Sequence, residues 1–151
     1  IGGASGALPP IIGWAIAMNG ISLEPIILFL IIFIWTPSHF WALSLYKTDD
    51  YKKAKIPMLP ITNGIENTKI NIFIYSLMMI PVILFPYAIG FVGKLFLIVS
   101  LFLTFYYNFI CYELYQGKKN KFDENKARQI FSYSILYLFL IFTLFLIDNL
   151  F

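Results

Sequence analysis

The sequence has little charge. Only 13% of its 151 residues are Asp, Glu, Lys or Arg, whereas 60% are hydrophobic and the mean hydropathy is +0.78. Soluble domains usually carry about a quarter charged residues, and a short chain that folds in water leaves much of its surface wet. The composition therefore excludes an ordinary soluble domain and predicts an integral membrane protein whose main partner is the lipid bilayer. The net charge of +3 is too small to suggest nucleic acid.

Cysteine and histidine are almost absent. The single cysteine, Cys111, lies in an apolar run, so a disulfide framework and a cysteine metal site are both excluded. The chain opens at Ile1 with a glycine-rich stretch and no charged leader, which is unlike a signal peptide. We therefore expect the sequence to continue a longer protein whose N-terminal part is missing.

Five apolar runs are long enough to be membrane spans, because the hydrocarbon core needs about 20 helical residues. The predicted fold is an all-α, polytopic transmembrane bundle. The first run is the weakest, since Pro9-Pro10 interrupts it and small residues are frequent. Prolines inside the other runs are tolerated where neighbouring groups satisfy the freed carbonyls. The predicted spans cover about 4–21, 25–46, 70–92, 94–115 and 130–148.

Positive charge gathers in two connections, 47–69 and 116–129, with five basic residues each out of 11 in the chain. Five alternating spans place both connections on the same side of the membrane, which the positive-inside rule assigns to the cytoplasm. Glu124 and Arg128 at i, i+4 predict a short surface helix in the second connection. The basic residues are Lys47, Lys52, Lys53, Lys55 and Lys69 in the first connection and Lys118, Lys119, Lys121, Lys126 and Arg128 in the second.

Residues 35–60, WTPSHFWALSLYKTDDYKKAKIPMLP, hold the only histidine, His39, and lead directly into the first basic connection. Ionisable groups at the mouth of a membrane span are costly, so they predict a functional site. If the second span continues to Asp50, then Trp35, His39, Tyr46 and Asp50 share one helical face, because eleven residues make almost three turns. Such a polar stripe would rise from the cytoplasmic loop into the bilayer.

Asp49 and Asp50 are hard oxygen ligands, which suit Mg²⁺ rather than zinc. Magnesium usually binds through one or two carboxylates together with substrate phosphates, and Lys47, Lys52 and Lys53 would match phosphate oxygens. A phosphorylated substrate at the membrane surface is one interpretation. A solvated loop without a metal is the other, and the residues alone leave both open.

His39 allows three interpretations. It could bond a carbonyl that Pro37 frees, contact haem or another substrate, or relay protons. Glu113, near the cytoplasmic end of the fourth span, is either a carboxylate that reaches the interface or an intramembrane ionisable group. Together His39 and Glu113 keep a second class of function open, part of a small-solute transporter.

Three segments carry a family resemblance: GGASGALPPIIGWA (2–15), WTPSHFWALSLYKTDDYKKAKIPMLP (35–60) and ARQIFSYSILYLFLIF (127–142). They resemble the C-terminal half of the haem O synthases, the protohaem IX farnesyltransferases of the UbiA-type intramembrane prenyltransferases. The similarity covers essentially the whole chain. It implies a bundle of nine spans, of which this chain would supply the last five, and transfer of farnesyl from farnesyl diphosphate to haem b to give haem O.

The resemblance also implies roles for individual residues. Asp50 and Asp49 would hold Mg²⁺ with the diphosphate, and Lys53 would supply charge. His39 would lie on the haem side. The expected catalytic residues are Asp50, Asp49 and Lys53, and the expected substrate-binding residues are His39, Tyr46, Lys47 and Lys52.

This sequence departs from the superfamily pattern Asp-x-x-x-Asp, since Lys53 follows Asp49 and Ala54 follows Asp50 at that spacing, and Lys55 replaces a usual glycine. The other aspartate motif of the superfamily is absent from these residues, so we expect the 151 residues alone to be inactive. The resemblance favours a bacterial cytoplasmic membrane over the mitochondrial inner membrane. It allows contact with haem A synthase or oxidase assembly factors. Within the superfamily, the alternative is a prenyltransferase that acts on an aromatic quinone precursor.

Overall fold

The computed structural model describes residues 2–117 and 123–150, and every regular element within them is a helix. The all-α prediction is confirmed. Four of the eight helices are short and four are long. In chain order they are α1 (Gly2–Ala7), α2 (Pro9–Met18), α3 (Leu23–Tyr46), α4 (Thr48–Lys53), α5 (Leu59–Thr62), α6 (Ile65–Ala88), α7 (Lys94–Tyr115) and α8 (Glu124–Asp148).

Helix ends follow local sequence signals. α2 begins with two prolines, which lack the N–H groups that a first turn leaves unpaired. It ends at Asn19, which adopts the left-handed conformation with φ 56°. α8 begins after Asp123, whose carboxylate accepts hydrogen bonds from the backbone N–H groups of Asn125 and Lys126.

Four helices, α3, α6, α7 and α8, are long and apolar enough to cross a membrane, with 24, 24, 22 and 25 residues. The chain is therefore an integral membrane protein by length and hydropathy. The run 4–21 forms two short helices, α1 and α2, which break at Leu8 and pack against α3. Neither reaches the length of a span alone, so the fifth span stays a prediction.

The four long helices form a closed ring. α3 packs against α6 and α8, and α7 packs against the same two helices on the far side. Successive long helices are antiparallel, as the contacts Phe96–Phe145 and Tyr107–Tyr137 show for α7 and α8. The core between them is apolar, with fully buried side chains from every long helix, including Ile31, Ile72, Phe96 and Ile141.

Buried polar side chains join the helices inside this core. Membrane helices gain from such contacts because hydrocarbon offers a polar group no partner. The Ser38 hydroxyl lies 2.8 Å from the Tyr107 hydroxyl, which links α3 to α7. The other bonded pairs are Ser76 with Asn108 at 3.1 Å, Thr104 with Tyr137 at 2.9 Å, and His39 with Ser134 at 2.6 Å.

Both basic connections lie at the same end of the bundle. Lys126 at the start of α8 is paired with Glu113 near the end of α7, with 3.5 Å between Nζ and Oε1. Lys69 in the second turn of α6 approaches Gly117, just after α7. The geometry therefore agrees with the arrangement that the charge pattern predicts.

The prediction of a separate surface helix in the second connection is wrong for its later part, because Glu124 and Arg128 belong to the first turns of α8. Lys118, Lys119 and Lys121 lie outside the described residues.

At the opposite end, Asp148 joins the last turn of α8 to the start of α7. Its carboxylate accepts hydrogen bonds from the backbone N–H groups of Gly93 and Phe96, the latter at 3.3 Å. These are N–H groups that the first turn of α7 leaves without a helical partner. We refer to this contact as the Asp148 clasp. It closes the ring where the turn between α6 and α7 meets the end of α8.

The Asp148 clasp predicts a stability effect. Asp148→Ala should lower the free energy of unfolding by about 1–2 kcal/mol, because two N–H groups lose a charged acceptor. Asn149→Ala is a matched control, since among the described residues the Asn149 amide bonds only to the Phe145 carbonyl of its own helix. Thermal melting in detergent, followed by circular dichroism, measures both. Equal melting temperatures for the two variants would contradict a stabilising role for the clasp.

The arrangement of the ends predicts a labelling pattern. With the buried Cys111 replaced by Ala, single cysteines at Lys53 and Asn125 should react with a membrane-impermeant maleimide from the same side. Lys94→Cys should react only from the other side, because Lys94 begins α7 at the opposite end. Sealed inside-out and right-side-out vesicles supply the two orientations. Labelling of Lys53→Cys and Asn125→Cys from opposite sides would contradict the predicted topology.

Candidate functional site

The site predicted around residues 39–53 begins where α3 ends. α3 stops at Tyr46 because Lys47 leaves the helical conformation, with φ −106° and ψ 22°. The Thr48 hydroxyl then donates to the carbonyls of Ser44 at 2.8 Å and Leu45 at 2.6 Å, which satisfies acceptors that the helix end leaves free. The chain continues as α4. The condition for a continuous stripe is therefore not met, because Asp50 lies on a separate helix from His39 and Tyr46.

Asp50 lies on the exposed side of α4 and pairs with Lys47, with 3.3 Å between Oδ2 and Nζ. Both side chains are largely in solvent, with 65% and 49% of their area exposed. The Lys47 ammonium also lies 5.8 Å from the centre of the Tyr46 ring. The structure thus brings together three of the predicted site residues at the mouth of α3. An exposed pair of this kind is weak, so an anionic ligand could recruit Lys47 at little cost.

Asp49, Lys52 and Lys53 are exposed on the same short helix. Within residues 2–117 and 123–150, none of the three forms an ion pair. The two aspartates occupy the first turn of α4 and the two lysines the last, an order that also suits the helix dipole. α5, whose Pro60 is buried, packs against both α3 and α4 and holds the connection against the bundle.

The donor set fits part of a magnesium site. Asp49 and Asp50 offer accessible carboxylate oxygens, which Mg²⁺ prefers. The described part of the chain contains no group of three or more His, Cys, Asp or Glu side chains that could hold a metal by themselves. Because Mg²⁺ commonly binds through one or two carboxylates and substrate phosphates, this pair suffices for a shared site and not for a closed protein cage.

Lys69 differs from the other lysines of the first connection. It belongs to α6 rather than to the loop, only 1% of its side chain is exposed, and its Nζ lies 3.1 Å from Glu66 Oε1. Lys47, Lys52, Lys53 and Lys55 are exposed. The accessible positive charge of this connection is therefore confined to residues 47–55.

His39 lies about 10 Å below the end of α3, at 1.5 Å per residue from Tyr46. Its ring is held between Trp35, 4.3 Å away at 19°, and Phe131, 4.7 Å away at 23°. Tyr46 packs edge-on against the same Phe131 ring at 5.8 Å. Three members of the predicted stripe, Trp35, His39 and Tyr46, therefore do lie together, and α8 supplies the aromatic side chain that joins them.

The hydrogen-bond partner of His39 is on α8. His39 Nδ1 lies 2.6 Å from the Ser134 hydroxyl, and Trp35 Nε1 donates to the Ser134 carbonyl at 2.9 Å. The interpretation in which His39 bonds a carbonyl freed by Pro37 is wrong, because the ring bonds across the helix interface instead. With 9% of the residue exposed, His39 is part of the α3–α8 contact and still reaches the surface.

An apolar groove continues from this point along the α3–α8 face. Trp35 lines its upper part, a hollow of about 380 Å³, and Phe142 is shared with a lower hollow of about 590 Å³. Nearly all the lining is hydrocarbon or aromatic ring. The upper hollow is lined by Ile32, Trp35, Ile135, Leu138, Phe139 and Phe142, and the lower one by Trp14, Leu28, Phe91, Phe142, Phe145, Leu146, Asn149 and Leu150.

The sequence analysis missed Ser134 and Phe131 as members of the site. Both lie in the segment 127–142 that carries part of the resemblance. A signal was available for Ser134, because small polar residues in apolar runs are enriched at helix contacts in membranes. No spacing rule connects them with His39, since 95 residues separate Ser134 from it in the chain.

Glu113 lies away from the midplane of the bundle, in the ion pair with Lys126, and 39% of its side chain is exposed. Transporter sites are expected near the bilayer midplane. The position of Glu113 at the end of α7 supports its interpretation as an interfacial carboxylate.

Comparison with known proteins gives a consistent result. The chain matches the UbiA prenyltransferase family over residues 1–136. It is 71% identical over 149 residues to the protoheme IX farnesyltransferase of Pelagibacter ubique. That alignment covers 99% of this chain and 49% of the relative. The corresponding enzyme of Parvibaculum lavamentivorans is 45% identical over 149 residues, with 99% and 47% covered. No solved structure matches.

The chain spans about half the length of the curated relatives it matches. The match to the family extends through α1 to α7 and into the first half of α8, and so includes the connection with α4 and the residues around His39. The predicted family is confirmed: the chain belongs to the UbiA prenyltransferase family.

Proposed function

We propose that this chain forms one half of an intramembrane enzyme that transfers farnesyl from farnesyl diphosphate to a vinyl group of haem b, with release of diphosphate and addition of one water molecule, giving haem O. The relatives that carry the name protoheme IX farnesyltransferase support the reaction. One structural observation carries the proposal. α3 holds His39 in an aromatic pocket and leads directly into α4, where Asp49, Asp50 and two lysines face solvent.

The diphosphate would bind at α4. Its charge needs cations, and Lys47, Lys52 and Lys53 present three of them at the membrane surface. Lys47 can leave its exposed pair with Asp50 when a phosphate oxygen competes, because such pairs are worth little in water. Asp50 and Asp49 would then hold Mg²⁺ together with the phosphate oxygens.

When bound, Mg²⁺ would stabilise the negative charge that grows on the leaving diphosphate. The lysines serve the same purpose, and such fixed charges usually contribute most to catalysis of this kind. Breaking the carbon–oxygen bond leaves an allylic cation. Bulk water would quench it, so the reaction needs a dry apolar chamber next to the charged surface.

The α3–α8 groove is one wall of such a chamber. Its hydrocarbon lining excludes water, and aromatic faces such as that of Trp35 attract a passing cation. His39 and Tyr46 lie between this groove and α4, where an acceptor would meet the activated farnesyl group. The remaining wall, and the other aspartate motif of the superfamily, would come from the part of the relatives that this chain does not match.

The relatives are bacterial, which supports a bacterial cytoplasmic membrane with residues 47–69 and 116–129 on the cytoplasmic side. Contact with haem A synthase or oxidase assembly factors remains a prediction of the resemblance. An aromatic quinone precursor is the alternative acceptor, and the names of the relatives favour haem.

Asp50→Asn should reduce farnesyl transfer to haem b by about 100-fold or more, because a carboxylate that would hold the Mg²⁺ ion opposite the leaving diphosphate is lost. The assay requires a complete enzyme, such as this chain fused behind the N-terminal half of the Pelagibacter ubique relative, in the presence and absence of Mg²⁺. Glu124→Gln is the matched control. It removes one exposed carboxylate at the same end of the bundle, in the first turn of α8.

Full activity of Asp50→Asn in a correctly inserted protein would place the metal elsewhere. Transfer to an aromatic acid and not to haem would favour the alternative acceptor.

A further inference from the structure

The Ser134 hydroxyl has two neighbours, and only one arrangement of protons satisfies both. It lies 2.6 Å from the Phe131 carbonyl of its own helix and 2.6 Å from His39 Nδ1. A carbonyl oxygen only accepts, so the serine proton points to Phe131. The serine oxygen must then accept from His39, which places the imidazole proton on Nδ1.

This assignment determines the chemistry of the other ring nitrogen. In a neutral imidazole with a proton on Nδ1, Nε2 carries a lone pair and no proton. An imidazolium between two aromatic rings in a membrane span would be costly without a carboxylate partner. His39 therefore offers Nε2 as a base or a metal ligand.

The ring cannot easily turn to present a different edge. Trp35 covers one face and Phe131 the other, at 19° and 23° to the imidazole plane. Rotation by half a turn would also place a carbon atom against the Ser134 oxygen and break the 2.6 Å bond. Two stacked rings and one hydrogen bond thus fix both the plane and the tautomer.

Nε2 remains accessible. Within the described residues it forms no hydrogen bond, and it is not among the buried polar atoms that lack a partner. The 9% of His39 that is exposed is consistent with a free edge. Histidines that ligate metals are held in the same way, since a ligating histidine usually donates its other ring N–H to a neighbouring acceptor.

We propose that Ser134 is a positioning residue that fixes the His39 tautomer, so that His39 Nε2 ligates the iron of the haem substrate. This proposal rests on the proposed function for the identity of the ligand. Imidazole is a common axial ligand of haem iron, and the surrounding Trp35, Phe40 and Phe131 rings offer apolar surface to a porphyrin. Ligation would hold the acceptor next to the groove while farnesyl is transferred.

The test is a titration of ferric protohaem into the fusion protein described above, purified in detergent and followed by absorption and electron paramagnetic resonance spectra. His39→Ala should lose the signature of histidine ligation. Ser134→Ala should keep the ligand but weaken haem affinity by about 10–100-fold, the usual effect of removing an outer partner of a ligating histidine. Ser134→Thr keeps a hydroxyl and should restore affinity and spectrum.

Ser100→Ala is the matched control. Ser100 is also fully buried and, in the part of the chain that the structure describes, donates only to a backbone carbonyl of its own helix, that of Leu97 at 3.2 Å. It should leave haem affinity and spectrum unchanged. Equal affinities for Ser134→Ala and Ser100→Ala would overturn the positioning role, and an unchanged spectrum in His39→Ala would overturn ligation. If Ser134→Ala does not fold, Ser134→Thr decides, because loss of the signature in that variant also contradicts the proposal.

The outcomes separate this inference from the proposed function. A fusion protein that binds haem in a Ser134-dependent way but does not farnesylate it would contradict the function and leave the ligation intact. An active enzyme whose haem affinity is unchanged by Ser134→Ala and His39→Ala would contradict the ligation alone.

Discussion

The structure depends on the satisfaction of polar side chains inside an apolar bundle. Lipid offers no hydrogen-bond partners, so every hydroxyl, amide and imidazole that faces the core must find one within the protein, on its own helix or on a neighbour. The pairs Ser38–Tyr107, Thr104–Tyr137 and His39–Ser134 meet this requirement. They also favour one rotation of each helix about its axis, because a turned helix would lose the hydrogen bond to its neighbour. The same requirement that specifies the fold orients His39.

The site has two parts with opposite needs. In the proposed reaction, cleavage of the diphosphate needs exposed charge at a wet surface, and transfer of the farnesyl group needs a dry pocket. α3 contributes to both parts, because it ends at Tyr46 and Lys47 leaves the helical conformation before the aspartates begin. A straight helix would have carried Asp50 on the His39 face. The break instead leaves the carboxylates exposed on α4, where the proposed diphosphate substrate would reach them.

Much of the fold was predictable from the sequence, because long apolar runs and clustered lysines are strong signals in membrane proteins. They predicted α3, α6, α7 and α8 and both basic connections at one end. The break at Lys47 was not predictable, since it depends on bonds from Thr48 to the end of α3 and on α5 packing beneath the connection. The partner of His39 was equally hidden. Pro37 suggested that His39 bonds a carbonyl on its own helix, whereas in the structure its partner is Ser134 on α8. The burial of Lys69 was also not predictable, because it depends on tertiary contacts and not on the number of charges in the connection.

The central claim is that one helix connects a haem-binding pocket to a diphosphate-binding surface. The most direct measurement is the distance between ferric haem and Mn²⁺ that replaces Mg²⁺, obtained from magnetic relaxation in the fusion protein with a non-reactive farnesyl diphosphate analogue. His39 lies seven helical residues before the end of α3 and Asp50 four residues beyond it, so the length of the chain between them predicts a metal–metal distance below about 25 Å. Relaxation of the haem signal that disappears in Asp50→Asn would support the account. A haem signal that Mn²⁺ and the analogue leave unchanged, with both shown to bind, would contradict it.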